Sequence, residues 1–561
     1  MNKLIIHKET KEYIYPLSRS KVLIKAEATS KQISEITLHY WKRFRNHTKK
    51  TKKMYSLNPM GNSRYYFIEL EFEDTIRYLN YIFEINQNGK TYYYSPAGVQ
   101  SSFPKKYFEF QSVNHNDIFD IPTNFEGDIC YHIFPERFYN GNKENDPEEV
   151  VAWDSIPTRE NFMGGDFEGI KQKIHYLNEL GVNTVFLTPI FKSPSNHKYD
   201  TMDYFELEPS FGSNSEFNDM VEEMSKNQIK LVLDGVFNHI GYYSDIFQDV
   251  VKNQKNSKYW DWFLIHGNEL DVDKVNYECV GDYKYMPKLN TANKEVQAYF
   301  NKVGAYWILK YHVAGWRLDV GDELDFTFRK SFRQHIKSTS KQKLIMSETW
   351  HNGQDLLRGD EVDTIMNYRL RDALIDILVL KEIDLPQFNE QIESIYFDYP
   401  KQVHHILYNL LDSHDTARFL TTANEDKDIL KIAAVIQFLL PGMPVIYYGD
   451  EIGMKGETDP LCRAGMTWNQ VDLNIYNFYK DLIEIKKKQV FKTGDFNILE
   501  ISEKVFSFIR YDENETYLVV VNPGLIDESI SLKKDDLKWL ELNNDFNIIV
   551  GSKSYAITKI R

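Results

Sequence analysis

The stretch Ala314-Gly315-Trp316-Arg317-Leu318-Asp319 reads as a buried strand that delivers a cation and a carboxylate at its carboxyl end. Such charges are costly inside a sheet unless they act together on something. Two further apolar runs end in the same way, Leu344 to Ser347 before Glu348, and Ile406 to Leu411 before Asp412-Ser413-His414-Asp415. A fourth ends in Asp234-Gly235-Val236-Phe237-Asn238-His239. Carboxylates with an arginine and two histidines suit cleavage of a glycosidic bond, which needs one carboxylate as nucleophile and one carboxylic acid for the leaving oxygen. Arg317, two residues from Asp319 and on the same side of a strand, is expected to hold Asp319 ionised as nucleophile. Glu348, beside Thr349 and Trp350, is expected against an apolar wall that keeps it protonated as acid and then base. Asp415 with His414 is expected to grip ring hydroxyls as the sugar flattens.

The elements that must position these groups are visible as eight short apolar runs separated by helical stretches: Ile129–Phe134, Thr184–Thr188, Ile229–Asp234, Gly315–Asp319, Leu344–Glu348, Thr364–Tyr368, Ile406–Leu411 and Val445–Tyr448. Eight βα units close a (β/α)₈ barrel, and there functional residues sit at the carboxyl ends of the strands. Between the first two runs, Ile170, Ile174 and Leu177 recur at helical spacing, with Asp166 near the start and Gly181 past the end. The fold class expected is therefore α/β, a TIM barrel at residues 123–239 and 291–485. A lobe at 240–290 is inserted after the third strand, over the barrel mouth; its Tyr259-Trp260-Asp261-Trp262-Phe263 is expected to form the lobe's own core rather than a sugar cleft. Period-two alternation before and after the barrel predicts a β-sandwich at 1–122, which either binds sugar or packs on its neighbour, and another at 486–561. The run Lys49-Lys50-Thr51-Lys52-Lys53 is expected as a solvated loop.

Over 561 residues the chain carries 42% hydrophobic and 27% charged residues, with 37 Tyr and 35 Phe. Aromatic faces suit sugar rings as well as cores. A net charge of −15 argues against nucleic acid or an anionic membrane as partner. Three widely spaced cysteines, Cys130, Cys279 and Cys462, form no disulfide framework, and the amino end has no apolar run of signal-peptide length, so a cytoplasmic location is expected.

The oxygen-rich stretch from Asn140 through Asn142, Asn145 and Asp146, with Gly164 and Asp166 further on, offers six hard donors suited to Ca²⁺. An Asn/Gly turn followed by a helix cap accounts for the same residues. A metal-dependent hydrolase on Asp234, His239 and His414 is a weaker reading, since no zinc-type His spacing accompanies them.

Four motifs, Asp234–His239, Gly315–Val320, Ser347–His351 and Leu411–Thr416, resemble in order and spacing those of the α-amylase superfamily of glycoside hydrolases. Tyr131–Phe138, Met286–Asn290, Tyr447–Met454 and the amino-terminal module are similar to its neopullulanase, cyclomaltodextrinase and maltogenic amylase branch. The resemblance implies a retaining hydrolase of α-1,4 and possibly α-1,6 bonds in cyclodextrins, maltooligosaccharides or pullulan, with no organic cofactor. The alternatives are an α-glucosidase, a transglycosylase, or an inactive sugar-binding relative. Asp319, Glu348 and Asp415 match the nucleophile, acid/base and transition-state stabiliser. Arg317, His239, His414, His197 and Tyr199 match contacts to the cleaved sugar, Asp459 and Arg463 contacts to the next sugar, and Trp350 and Glu323 the leaving-group side. The calcium loop and a homodimer, in which one chain's amino-terminal module covers the other's cleft, are likewise implied. The chain departs from this branch at Gly321-Asp322, usually Ala-Asn, and at Ser347-Glu348-Thr349, usually Gly-Glu-Ile.

Overall fold

The computed structural model describes residues 4–29, 33–45, 49–61, 63–114, 117–540, 542 and 544–561; the first three residues of the amino-terminal stretch lie outside them. Eight parallel strands form the central sheet: β1 (Cys130–Ile133), β2 (Thr184–Leu187), β3 (Lys230–Gly235), β4 (Gly315–Leu318), β5 (Leu344–Ser347), β6 (Thr364–Ile365), β7 (Tyr408–Asn409) and β8 (Met443–Tyr447). Their spatial order is β6-β5-β4-β3-β2-β1-β8-β7, and a parallel bridge between Met366 and Tyr408 joins the two ends. All eight runs expected to be strands are present. Every residue of β1, β2, β4 and β5 is buried, as a strand covered on both faces by helices and barrel interior must be.

Helices follow the strands. Between β1 and β2 the expected helix is two, Phe167–Gln172 and Ile174–Leu180, broken at Lys173. Asp166 caps the first by accepting the Gly169 N–H, and Gly181 closes the second at φ 97°, where a side chain would be strained. Helix Lys294–Tyr311 before β4 buries Phe300, Val303 and Trp307 against the barrel. In the inserted lobe Trp262 and Phe263 are buried; Phe263 packs on Phe247 of the lobe with ring centroids 4.9 Å apart, while Trp262 packs on Tyr299 of the helix before β4 at 5.5 Å, so these aromatics join the lobe to the barrel's core.

The amino-terminal segment makes two antiparallel sheets, including strands Lys21–Ala28, Ile33–Lys42, Tyr65–Glu71 and Arg77–Gln87. They bury a separate core around Ile24, Leu38, Phe83 and Ile85. Its outer face packs on the barrel: the rings of Tyr13, Tyr65 and Phe67 surround Phe397, at 5.9, 4.7 and 5.5 Å. The lysine-rich run expected as a loop is instead a strand, Lys50–Lys53, paired with Ile33–Lys42 and exposed at all four residues. Lysines on an edge strand discourage a second chain from adding to the sheet, which is why a strand here reads as a loop. After β8, helix Leu473–Lys486 leads into a four-stranded antiparallel sheet that contains Phe506–Tyr511 and Thr516–Asn522.

Candidate active site

Register in the barrel decides which side chains meet. Asp234 on β3 lies opposite Arg317 on β4, and Leu318 opposite Ser347 on β5, so Asp319 and Glu348 leave their strands side by side. Arg317 is fully buried and gathers all three carboxylates. Its Nη1 donates to Asp234 Oδ1 and Oδ2 at 2.8 and 2.9 Å and to Asp319 Oδ1 at 2.7 Å, and its Nη2 lies 2.8 Å from Glu348 Oε2. The Asp319 and Glu348 side chains keep 7% exposure each, enough to face the barrel mouth.

The sequence-based account of how the two carboxylates differ is corrected by this geometry. Glu348 has no apolar wall: besides Arg317 it accepts the Val320 N–H at 2.8 Å and the Trp350 indole N–H at 3.2 Å. Nor does Arg317 belong to Asp319 alone. Burial pushes the Asp319 carboxyl well above the usual range, Arg317 opposes this, and the neighbouring Glu348 and Asp234 push it further up. Asp234 is raised to about 6, again by burial against the pull of Arg317. One guanidinium cannot neutralise three buried carboxylates, so burial and mutual repulsion favour the protonated forms of Asp319 and Asp234.

A second group stands against the first. Tyr199 Oη donates to Asp234 Oδ2 at 2.9 Å and therefore accepts from His414 Nε2, 2.6 Å away. The Tyr199 and His414 rings are parallel within 6°, with centroids 5.4 Å apart. His414 Nε2 is also 3.2 Å from Asp415 Oδ2, while Asp415 Oδ1 accepts from Arg463 Nη2 at 3.1 Å. Arg463 continues to Asp459 at 2.9 Å. Burial holds His414 well below its usual value and His239 down to about 4, so both are neutral donors at pH 7. His239 Nε2 bonds the Tyr199 carbonyl at 3.0 Å, and His197 Nδ1 accepts the Tyr199 N–H at 3.0 Å. Asp234 and His239 thus have partners other than a shared ion, which removes the geometry a metal-dependent hydrolase on Asp234, His239 and His414 requires.

Eleven of the twelve residues expected at the catalytic and sugar-binding positions belong to this connected set. Glu323 lies at its edge, where it pairs with Lys288 at 2.6 Å and accepts from Asn238 at 3.3 Å. Three participants were not expected as sugar or catalytic contacts: Asp234, the Val320 N–H, and Tyr368, whose ring carries Trp350 at 4.1 Å. A carboxylate ending a buried strand is a signal for the first; the other two depend on backbone course and stacking across strands.

The departures at 321–322 and 347–349 fall on each other in space. A Cβ at Gly321 would lie 2.2 Å from Ser347 Oγ, and Thr349 Oγ1 donates to Asp322 Oδ2 at 3.1 Å. Gly-Ser thus takes the space of the Ala-Gly pair that the resemblance leads one to expect, and Asp-Thr makes a bond that an Asn-Ile pair cannot. Because these pairs flank Glu348 on both sides, Gly321→Ala is expected to lower kcat at least tenfold. Adding Ser347→Gly is expected to restore it to within about threefold, in a double-mutant cycle read by initial rates. Additive losses would show that the two positions do not share that space.

The amide-rich loop gathers around Gly164, whose added Cβ would meet Asp146 Oδ1 at 2.3 Å and Asn140 Nδ2 at 2.5 Å. The buried oxygens Asn140 Oδ1 and Asn145 Oδ1 have no hydrogen-bond partner, which fits a hard cation. Asp166 instead accepts the N–H groups of Gly141, Asn142 and Gly169, the helix-cap arrangement. Among the described residues no three His, Cys, Asp or Glu side chains cluster to hold a metal, so any ion here would rest mainly on amides and carbonyls.

The description of the alpha amylase catalytic domain matches residues 132–481, and that of the alpha amylase N-terminal Ig-like domain residues 1–114. The cyclomaltodextrinase of Thermoanaerobacter pseudethanolicus is 39% identical over 560 residues, 97% of either chain. The intracellular maltogenic amylase of Bacillus subtilis is 37% identical over 496 residues, 86% of this chain and 82% of the relative. A solved structure of a cyclomaltodextrinase is similar with a TM-score of 0.91 and 32% identity, over 99% of both chains.

Proposed function

The chain belongs to the alpha-amylase family of glycoside hydrolases, and on that premise we propose a retaining hydrolase of α-1,4-glucosidic bonds in cyclodextrins and maltooligosaccharides. The observation that carries this reading is the single guanidinium of Arg317 gripping both Asp319 and Glu348. Carboxylates gathered on one guanidinium stand on the same side of the barrel mouth, where both can reach a single glycosidic bond as double displacement requires.

Asp319 attacks the anomeric carbon and forms a glucosyl ester while Glu348 protonates the departing oxygen. Glu348, flanked by the half-exposed Trp350, opens toward the leaving group and then takes a proton from the water that cleaves the ester. Asp415, His414 and His239 hold ring hydroxyls, Tyr199 stacks on the sugar, and Asp459 with Arg463 meets the next unit. Incubation with β-cyclodextrin, pullulan and maltotriose side by side tests this. Release of the α-anomer of maltose from β-cyclodextrin is expected; glucose as sole first product from maltotriose, with β-cyclodextrin untouched, would mark an α-glucosidase instead.

The amide-rich loop is assigned a structural Ca²⁺ held by Asn140, Asn142, Asn145, Asp146 and the Gly164 carbonyl, with Asp166 behind it as the helix cap that holds the loop's backbone, supported by the unpartnered amide oxygens. Bound there, the ion would tie the segment after β1 to the start of the following helix, without a part in bond cleavage. Millimolar Ca²⁺ is expected to raise Tm by several degrees over EDTA-treated protein. Asn145→Ala should remove most of that shift while changing kcat less than twofold; an equal Tm in EDTA and Ca²⁺ would withdraw the site.

A homodimer and a cytoplasmic location complete the proposal. Sedimentation velocity tests the first. The location is supported by the Bacillus subtilis relative, whose name is intracellular, and by three unpaired cysteines. Among the described residues no helix is long and apolar enough to cross a membrane.

A further inference from the structure

A cavity of about 1040 Å³ lies away from the catalytic cluster, where the amino-terminal sheets, the barrel and the carboxy-terminal sheet meet. It is at the upper end of the roughly 300–1,000 Å³ range of small-molecule sites. Tyr15, Leu23 and Phe67 form a buried apolar floor, yet two aromatic side chains over it remain accessible, Tyr55 at 41% and Trp539 at 49%. Both are braced: Tyr55 stacks on Phe67 at 5.9 Å and 22°, and Trp539 stands edge-on to Tyr511 at 4.9 Å. Accessible aromatic faces held in place over an apolar floor are a prepared surface rather than a packing defect.

The polar groups decide what the surface suits. Lys401 Nζ is 2.6 Å from Glu69 Oε1 and 2.9 Å from Asp495 Oδ1; the second Glu69 oxygen takes Lys21, and Lys53 pairs with Glu35, each at 2.6 Å. With Lys401, Lys21 and Lys53 paired to carboxylates and Lys52 Nζ held by the Glu69 backbone carbonyl at 2.9 Å, the cavity keeps little net charge to draw an anion. An apolar ligand would strip water from the Lys401–Asp495 pair without replacing its hydrogen bonds. A sugar chain has both requirements, apolar ring faces for the aromatics and hydroxyls for the half-exposed Asp495 carboxylate. We propose that this three-domain cleft is a second binding site for a linear maltooligosaccharide, which anchors the enzyme on long glucans. The ligand class is taken from the catalytic reading; the site itself is not.

The test titrates the full chain carrying Asp319→Asn with maltoheptaose by calorimetry. Two sites per chain are expected, falling to one when Tyr55→Ala and Trp539→Ala are added. In the active background those two changes should leave kcat/KM on maltotriose within twofold and lower it five- to tenfold on amylose. A single site at the outset, or two that survive both changes, overturns the proposal. Hydrogen exchange on the Asp319→Asn chain, which leaves the ligand uncleaved, does not depend on the Tyr55 and Trp539 variants folding. Maltoheptaose should slow exchange in peptides covering 50–56 and 506–511, and unchanged exchange there also overturns the proposal. Failure of the unmodified chain to cleave maltotriose would instead count against the catalytic reading.

Discussion

Asp319→Asn is expected to bind β-cyclodextrin within about threefold of the parent affinity and to turn it over at least ~10⁴-fold more slowly. The amide preserves volume, and Arg317 keeps its bonds to Asp234 and its ion pair with Glu348, so the pocket should keep its shape. What is lost is the oxygen that forms the glucosyl ester. Asp319→Gly, which empties the nucleophile's side of the sugar as the amide does not, should be rescued by azide entering from that side, giving a glycosyl azide of inverted anomeric configuration. Glu348→Gln should show the complementary selectivity, retaining more activity on aryl glucosides whose leaving group needs no proton. Turnover by Asp319→Asn within tenfold of the parent would remove Asp319 from the mechanism. Loss of binding along with turnover would mean that its carboxylate holds the sugar rather than attacks it.

How much of this was legible beforehand varied with distance along the chain. The eight barrel strands were readable because a strand buried on both faces is a short apolar run, and the charged residues ending those runs stood out against it. Residues such as Asp319, Glu348 and Asp415 were found on that signal alone. What ties them together was not readable. The Asp234–Arg317 contact spans 83 positions and depends on the register of β3 against β4, which no local pattern carries. The same gap produced the mistaken surroundings of Glu348: its sequence neighbours are Thr349 and Trp350, but its actual partners are the Arg317 guanidinium and the Val320 N–H from the adjacent strand. Thr349 turns instead to Asp322. The Lys50–Lys53 strand was missed for a different reason, since an edge strand need not be apolar and its charges imitate a loop.

Arg317→Met should be the most disruptive single change to the site, and its effect should depend on pH. Met keeps much of the side-chain length but leaves Asp234, Asp319 and Glu348 without their shared cation. Removing one partner of a buried charge cluster typically costs about 3–5 kcal/mol, and the native variant can reduce that cost only by binding protons. Even with Arg317 present, Asp234 is raised to about 6, chiefly by burial, against an ordinary value of 3.8. For such a group the folded state binds more protons than the unfolded one, so stability is greatest below the unfolded pKa and is lost as pH rises through the folded one. In the parent this loss falls between about pH 4 and 6; without the guanidinium the folded values rise and the loss extends to higher pH. Urea unfolding of parent and variant should therefore show a gap at pH 7.5 that narrows by more than about 1 kcal/mol at pH 5, equivalent to roughly one pKa unit. Activity should be undetectable at both, because lowering the pH restores neutrality to the cluster without restoring an ionised nucleophile beside a protonated acid. A gap of equal size at the two pH values would assign the contribution of Arg317 to packing, and the raised proton affinity of Asp234 and Asp319 would lose its main support.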